Sequence, residues 1–189
     1  MSNILPVPLE KAYRLLNLGA TVLVSAEHAG SSDVMPAAWS VPLDFAPFKA
    51  GVVIDSSHFT RKLIDKSGYF SLQVPTVGIA RETLALGSVS KNDVPAKLEQ
   101  SGASFFRMDG FEMPLVNGCA AWMIFKVIPE ADNEKNYDLI FGECVAAWAD
   151  KRVFADGHWQ FENAPADLRT LHYVAGGHFY TIGDVLRVG

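Results

Sequence analysis

The sequence has few cysteines and no long apolar run. Two cysteines, Cys119 and Cys144, are too few for a disulfide scaffold or a multi-thiolate metal site, and we expect both to be buried free thiols. The most apolar run, residues 119–125, is far shorter than the roughly 20 residues that cross a bilayer. Residues 1–6 show no basic segment followed by an apolar one. The sequence therefore predicts no membrane span and a cytoplasmic location.

Basic residues are in the minority. Lys and Arg number 16 against 21 Asp and Glu, which gives a net charge of −5. Such a surface repels a phosphate backbone, so nucleic acid is not expected as a partner.

Motifs of several enzyme classes are missing. The chain has no G-x-G-x-x-G loop after a strand, no P-loop and no H-E-x-x-H zinc helix. It also lacks a G-x-S-x-G turn and a Cys–His signature, so covalent catalysis has no support. The five histidines show no tight ligand spacing, although His172 and His178 could converge in a loop. No metal site is predicted.

The chain does carry enough apolar material for one core. Its 189 residues are 49% hydrophobic and 20% charged, and no linker or repeat divides them. These values predict a single globular domain over residues 1–189.

Hydrophobic patterning favours strands with helical insertions. Prolines 42 and 47 predict a loop, and residues 131–136 read as a polar connector between two long strands that pair antiparallel. Strands are expected at 20–26, 34–41, 51–55, 69–74, 118–130 and 137–153, and helices at 8–19, 56–68, 79–86 and 94–100. The pattern predicts a mainly β antiparallel barrel with α insertions.

Residues 55–60, Asp-Ser-Ser-His-Phe-Thr, stand between a buried strand and a helix. Hydroxyl groups, free amides at the helix start and the following Arg61 and Lys62 would suit a phosphate. An ordinary helix N-cap with a solvated basic face accounts for the same residues.

Two further segments are candidates for a binding site. Small residues around Trp39 in residues 37–42 would let a flat ring approach the strand backbone, although a tryptophan packed in the core is the alternative. The polar loop of residues 90–93 could reach ring heteroatoms or serve only as a helix cap.

Taken in order, these segments resemble the flavin reductase-like family, whose members fold as FMN-binding split barrels, a Greek-key type of antiparallel β-barrel. The resemblance runs through Thr21–Ser25, Val34–Ser40, Ser57–Ile64 and Gly68–Pro75. Residues 86–91, 142–145 and 172–180 are similar to later family landmarks but are less specific.

The resemblance implies an FMN cofactor and a homodimer. It places Ala38, Trp39 and Ser40 along the isoalloxazine ring. It places Ser90 and Lys91 near the ring from the following loop. The ribityl phosphate would be surrounded by Ser56, Ser57, His58, Thr60 and Lys62.

The chain departs from the family at three positions. Relatives often have Asn and Thr where this chain has Asp33 and Pro36, and Gly where it has Lys91. Pro36 removes a backbone donor, and Lys91 puts a bulky cation where a dinucleotide would pass.

Three functions follow as hypotheses. The first is an FMN-dependent oxidoreductase that transfers electrons from NAD(P)H to flavin or another acceptor. The second is a flavoredoxin-like electron carrier that is fed by a protein donor. The third is a barrel without cofactor that serves as an interaction module.

Overall fold

Strands dominate the chain, and seven of those described join into one antiparallel sheet. The computed structural model describes residues 19–188 together with residues 8, 10 and 15. The strands in this part are β1 (Val22–His28), β2 (Ser31–Ala37), β3 (Ser40–Phe45), β4 (Phe48–Val53), β5 (Tyr69–Val74), β6 (Phe105–Met108), β7 (Phe111–Val116), β8 (Ala121–Ile128), β9 (Leu139–Ala149), β10 (Phe154–Ala155), β11 (His158–Trp159), β12 (Leu171–Ala175) and β13 (His178–Thr181). The helices are α1 (Phe59–Ser67), α2 (Ala80–Ser88), α3 (Lys97–Gln100) and α4 (Ala131–Tyr137).

The main sheet has the order β2-β1-β5-β8-β9-β4-β3, and the other described strands form separate hairpins. Alternate residues of each strand face the same side, and Val24, Val52 and Phe70 belong to one buried cluster. Strands β1 and β4 are far apart in the sheet order, so their side chains meet because the sheet curls into a barrel. The predicted antiparallel barrel is confirmed.

Helix α1 packs into this core through Leu63 and Ile64. It ends at Gly68, whose φ of 71° gives the left-handed cap that glycine favours. The predicted start at residue 56 is too early, because residues 55–58 form a turn in which the His58 amide donates to the Asp55 carbonyl.

Helices α2 and α3 belong to a second buried cluster that includes the opposite face of β1. Leu23 of β1 points away from the barrel interior and clusters with Leu86 and Leu98. At the other end of the chain, the Tyr173 amide donates a 2.8 Å hydrogen bond to Thr21 Oγ1. This bond fixes the β12–β13 hairpin beside the start of β1.

Two sequence predictions are wrong. Residues 42–45 belong to strand β3 rather than to a loop, because β3 is the last strand of the sheet and an edge strand tolerates Pro42. Residues 131–137 form α4 rather than an unstructured connector. Its first turn is stabilised by Glu134, whose carboxylate accepts a hydrogen bond from the Glu130 amide.

Other expectations have separate outcomes. The predicted helix over residues 8–19 falls largely outside the described residues. Cys119 is buried and Cys144 only partly so, because Cys144 packs against the core cluster from the half of β9 in which half-buried and exposed residues alternate. None of the described helices is both long and apolar enough to cross a membrane.

Candidate functional site

A cavity of about 510 Å³ lies between β2, the start of α1, α2 and the β12–β13 hairpin. This volume is in the range of small-molecule sites. The apolar side chains that line it are Met35, Pro36, Ala37, Ala38, Trp39, Val53, Phe59, Leu84, Leu86, Val89, Tyr173 and Phe179. The polar side chains are Thr21, Asp33, His58, Thr60, Thr83, Ser88, Ser90 and Lys97.

Trp39 lies in the short connection between β2 and β3. Its carbonyl accepts a 3.0 Å hydrogen bond from the Val53 amide, which holds this connection against β4. The Trp39 side chain lines the cavity and is 52% exposed. This side chain therefore lies at the opening of the cavity and is not packed in the core. A role of Trp39 in ligand binding requires this position.

A buried ion pair lies at the polar side of the cavity. The Lys97 Nζ atom is 3.0 Å from Asp33 Oδ1 and 3.3 Å from Oδ2, and both side chains are almost fully buried. The Thr60 hydroxyl donates a 2.7 Å hydrogen bond to Asp33 Oδ2. Burial lowers the pKa of Lys97, and the neighbouring Asp33 carboxylate opposes that shift.

Buried polar atoms without partners concentrate in this cavity. Three buried side-chain nitrogen or oxygen atoms of the described residues have no polar partner: His58 Nδ1, Thr83 Oγ1 and Arg169 Nε. Two of them, His58 Nδ1 and Thr83 Oγ1, belong to cavity residues. Native proteins rarely leave such atoms unsatisfied, so the cavity is suited to a ligand with several polar groups.

Asn92 joins two of the predicted segments. Its side chain accepts a 2.8 Å hydrogen bond from the Lys62 ammonium and donates to the Ser57 carbonyl and to Ser90 Oγ. The turn before α1 and the loop after α2 are thereby held together at the edge of the cavity.

A family model for the flavin reductase-like domain matches residues 14–187. The chain belongs to the flavin reductase-like family.

Individual proteins are similar to the chain over nearly its whole length. The uncharacterized protein YddH of Escherichia coli K12 is 40% identical over 192 residues and is covered completely, as is this chain. The FMN-binding domain of a flavin reductases-like enzyme from Shewanella baltica OS155 is 51% identical, with a TM-score of 0.88 over 99% of this chain and 98% of that one. Flavoredoxin from Methanosarcina acetivorans has a TM-score of 0.76 over 99% of this chain and 95% of its own, and at 20% identity it shows the common fold alone.

Half of the residues predicted from the sequence line the cavity. These residues are Ala38, Trp39, His58, Thr60 and Ser90. The structure brings them together from three separate segments of the chain, residues 38–39, 58–60 and 90. Contact between these residues and a flavin cofactor stays a prediction.

The other half lies outside the cavity wall: Ser40, Ser56, Ser57, Lys62 and Lys91. The Ser56 amide donates to Asp138, and the Ser57 amide donates to Asp55. Hydrogen bonds from Ser57 lower the pKa of the Asp55 carboxyl, which keeps an anion beside the predicted phosphate position. This turn is therefore less favourable for phosphate than its hydroxyl groups suggest.

Lys91 also has a partner away from the cavity. Its ammonium donates a 2.6 Å hydrogen bond to the Ser32 carbonyl on β2, and it lies 5.8 Å from the centre of the Phe59 ring. A role for Lys91 at the ring of a cofactor stays a prediction.

Sequence reasoning missed Lys97, Thr83 and the C-terminal aromatics Tyr173 and Phe179. Lys97 carries a weak signal, since it lies between Ala96 and Leu98 in a predicted helix. Thr83 carries none that distinguishes it from any other helical threonine. Within the described residues, no three His, Cys, Asp or Glu side chains group as metal ligands.

Proposed function

We propose that the chain binds FMN in this cavity and acts as a flavin-dependent oxidoreductase. The observation that carries the proposal is the combination of an apolar slot with two buried polar atoms that lack partners. Family membership and the FMN-binding relative from Shewanella baltica support the choice of FMN.

The residues present fit a flavin. The wall from Pro36 to Trp39 is apolar and low in bulk apart from the tryptophan, which suits a flat ring. The unpartnered atoms of His58 and Thr83 can form hydrogen bonds with the polar ring edge and the ribityl hydroxyls. The cavity is less suited to binding a phosphate group. Among the described residues that line it, the only Lys or Arg is Lys97, which is already paired with Asp33.

A bound flavin supplies the hydride or electron chemistry, and the chain supplies binding, orientation and exclusion of water. Tyr173 and Phe179 cover one side of the cavity, and Leu84 and Leu86 cover another. Gly177, at the tip of the hairpin, would place a β-carbon 3.6 Å from Leu84 Cδ2, so the hairpin closes against α2. The side bordered by the half-exposed Trp39 would then be the approach for an electron donor or acceptor.

The electron donor is proposed to be NAD(P)H, with flavin or another molecule as acceptor. A flavoredoxin-like carrier fed by a protein donor is the second candidate. The exposed apolar edge of β3 favours it, because such a surface beside the cavity suits a protein partner. This β3 apolar edge consists of Trp39, directly before β3, and of Val41, Leu43 and Phe45 on β3; their exposed fractions are 52%, 50%, 48% and 98%.

The same edge supports the proposed homodimer. Val41 lies opposite Gly51, and a β-carbon on Gly51 would be 3.2 Å from the Phe141 ring, so apolar groups continue across β4 to β9. The proposed cytoplasmic location agrees with the unbridged Cys119 and Cys144.

Two measurements test the function. Protein purified with added FMN and then denatured by heat is expected to release FMN in near-stoichiometric amount; release of FAD alone, or of no flavin, would contradict the proposal. Anaerobic mixing of the FMN-loaded protein with NADH and with NADPH separates the two candidates. Bleaching of the flavin absorbance supports the first, and its persistence supports the second.

A further inference from the structure

The buried pair of Asp33 and Lys97 is the main charged feature of the cavity. Lys97 is the only Lys or Arg, and Asp33 the only Asp or Glu, among the described residues that line it. The two side chains are 2% and 3% exposed, and their charged atoms approach to 3.0 Å. Their opposite charges largely cancel at the distance of a ligand.

Asp33 also accepts the hydrogen bond that the nearby Thr60 hydroxyl donates. A threonine hydroxyl has one proton to donate, and that of Thr60 goes to Asp33 Oδ2 at 2.7 Å. An anionic ligand group would therefore meet an acceptor oxygen at Thr60, a neutralised cation at Lys97 and a carboxylate between them. Coulomb repulsion by the carboxylate offsets the attraction of the ammonium.

We infer that Asp33 is a specificity-determining residue that makes this cavity nearly indifferent to the 5′-phosphate of a flavin. Riboflavin and FMN then bind with similar affinity, and the two cavity atoms that lack a partner, His58 Nδ1 and Thr83 Oγ1, form hydrogen bonds with uncharged groups of the ligand. The inference rests on the proposed flavin site and deepens it, because it names the uncharged part of the flavin as the part that is recognised.

The first test needs only the unaltered protein. The flavin-free chain is titrated with FMN and with riboflavin, and the quenching of flavin fluorescence gives the two dissociation constants. A ratio below about tenfold is expected, whereas tighter binding of FMN by more than about tenfold overturns the inference.

The second test removes the carboxylate charge. Asp33→Asn is expected to tighten FMN binding by about tenfold or more and to leave riboflavin binding within about threefold, because Lys97 becomes available to the phosphate. Asp44→Asn is the matched control: Asp44 forms a 2.9 Å pair with Lys49 on the surface, away from the cavity, and its loss should leave the ratio unchanged.

Asp33→Asn leaves a buried ammonium without its partner and can prevent folding. The double variant Asp33→Asn, Lys97→Gln removes both charges and is expected to keep the ratio of the unaltered protein. A strong FMN preference in the double variant would place phosphate recognition elsewhere and overturn the inference.

The outcomes separate the inference from the proposed function. Flavin binding with an unchanged FMN-to-riboflavin ratio in folded Asp33→Asn overturns the inference and leaves the flavin site intact. Failure of the unaltered protein to bind either flavin overturns the proposed function, and the inference with it.

Discussion

A β-carbon added to Gly87 would lie 2.5 Å from Cγ of Pro36, which makes this glycine a point of close approach between α2 and β2. Both residues line the cavity, so the distance between its two walls depends on the absence of a side chain at position 87. Pro36 has a rigid ring and cannot swing aside as a long side chain would.

Gly87→Ala should therefore separate α2 from β2. We expect a loss of about 1–3 kcal/mol in unfolding free energy from overpacking, against a gain of about 1 kcal/mol in helix propensity. Flavin affinity should fall as well. Urea denaturation and flavin titration measure the two effects. Gly183→Ala is the control because nothing lies within 4 Å of its β-carbon position. Equal stability and affinity in the two variants would contradict the close-packing argument.

The fold was predictable where periodicity is local and strong. The β1–β2 hairpin turns at Ala29 and Gly30, both with positive φ, in the gap between the strands predicted at 20–26 and 34–41. Edge position is not a local property, however. Pro42 argues against a strand until the sheet order shows that β3 has no neighbour on one side.

The β3 apolar edge provides a prediction about assembly. Phe45 is 98% exposed, so Phe45→Ser removes apolar surface without leaving a core cavity, and unfolding free energy should change by less than about 0.5 kcal/mol. Sedimentation should show a dimer that dissociates at a higher concentration than the parent dimer. Tyr180→Ser, which alters a 66% exposed aromatic on β13, should leave dissociation unchanged. A parent protein that sediments as a monomer at all concentrations would refute the dimer.

Cys119 provides a prediction about pH. Burial raises the pKa of its thiol, whereas in the unfolded chain the thiol titrates near about 8.5. Above that pH the unfolded state loses a proton that the native state keeps, so unfolding free energy falls by up to about 1.4 kcal/mol per pH unit for this thiol. Cys119→Ala should flatten this decline between pH 8.5 and 10 in urea titrations. The half-buried Cys144, altered to Ala, should flatten it less. Parallel slopes in all three proteins would show that the thiols do not contribute.

The candidate site was predictable as segments but not as chemistry. Trp39, Thr60 and Ser90 each stand in a locally unusual sequence, and the fold brings all three to the cavity. The ion pair of Asp33 and Lys97 spans 64 residues, and such a pairing depends on tertiary packing that no local pattern encodes. The sequence also cannot show that the Thr60 proton is used internally.

Thr60 and Thr83 form a matched pair for the last prediction, since both are threonines that line the cavity with exposed fractions of 0% and 1%. The Thr60 hydroxyl donates to Asp33, whereas Thr83 Oγ1 has no partner. Thr60→Val should therefore lower the unfolding free energy of the flavin-free protein by about 1–3 kcal/mol, because a buried carboxylate loses a donor. Thr83→Val should leave that stability unchanged or raise it, yet weaken flavin binding, because only a ligand completes its hydrogen bond.

Urea denaturation without flavin measures the stability, and fluorescence titration with flavin measures the affinity. If Thr83→Val binds flavin as tightly as the parent protein, Thr83 is not a contact residue; if Thr60→Val is as stable as the parent, the hydrogen bond to Asp33 contributes nothing to the fold.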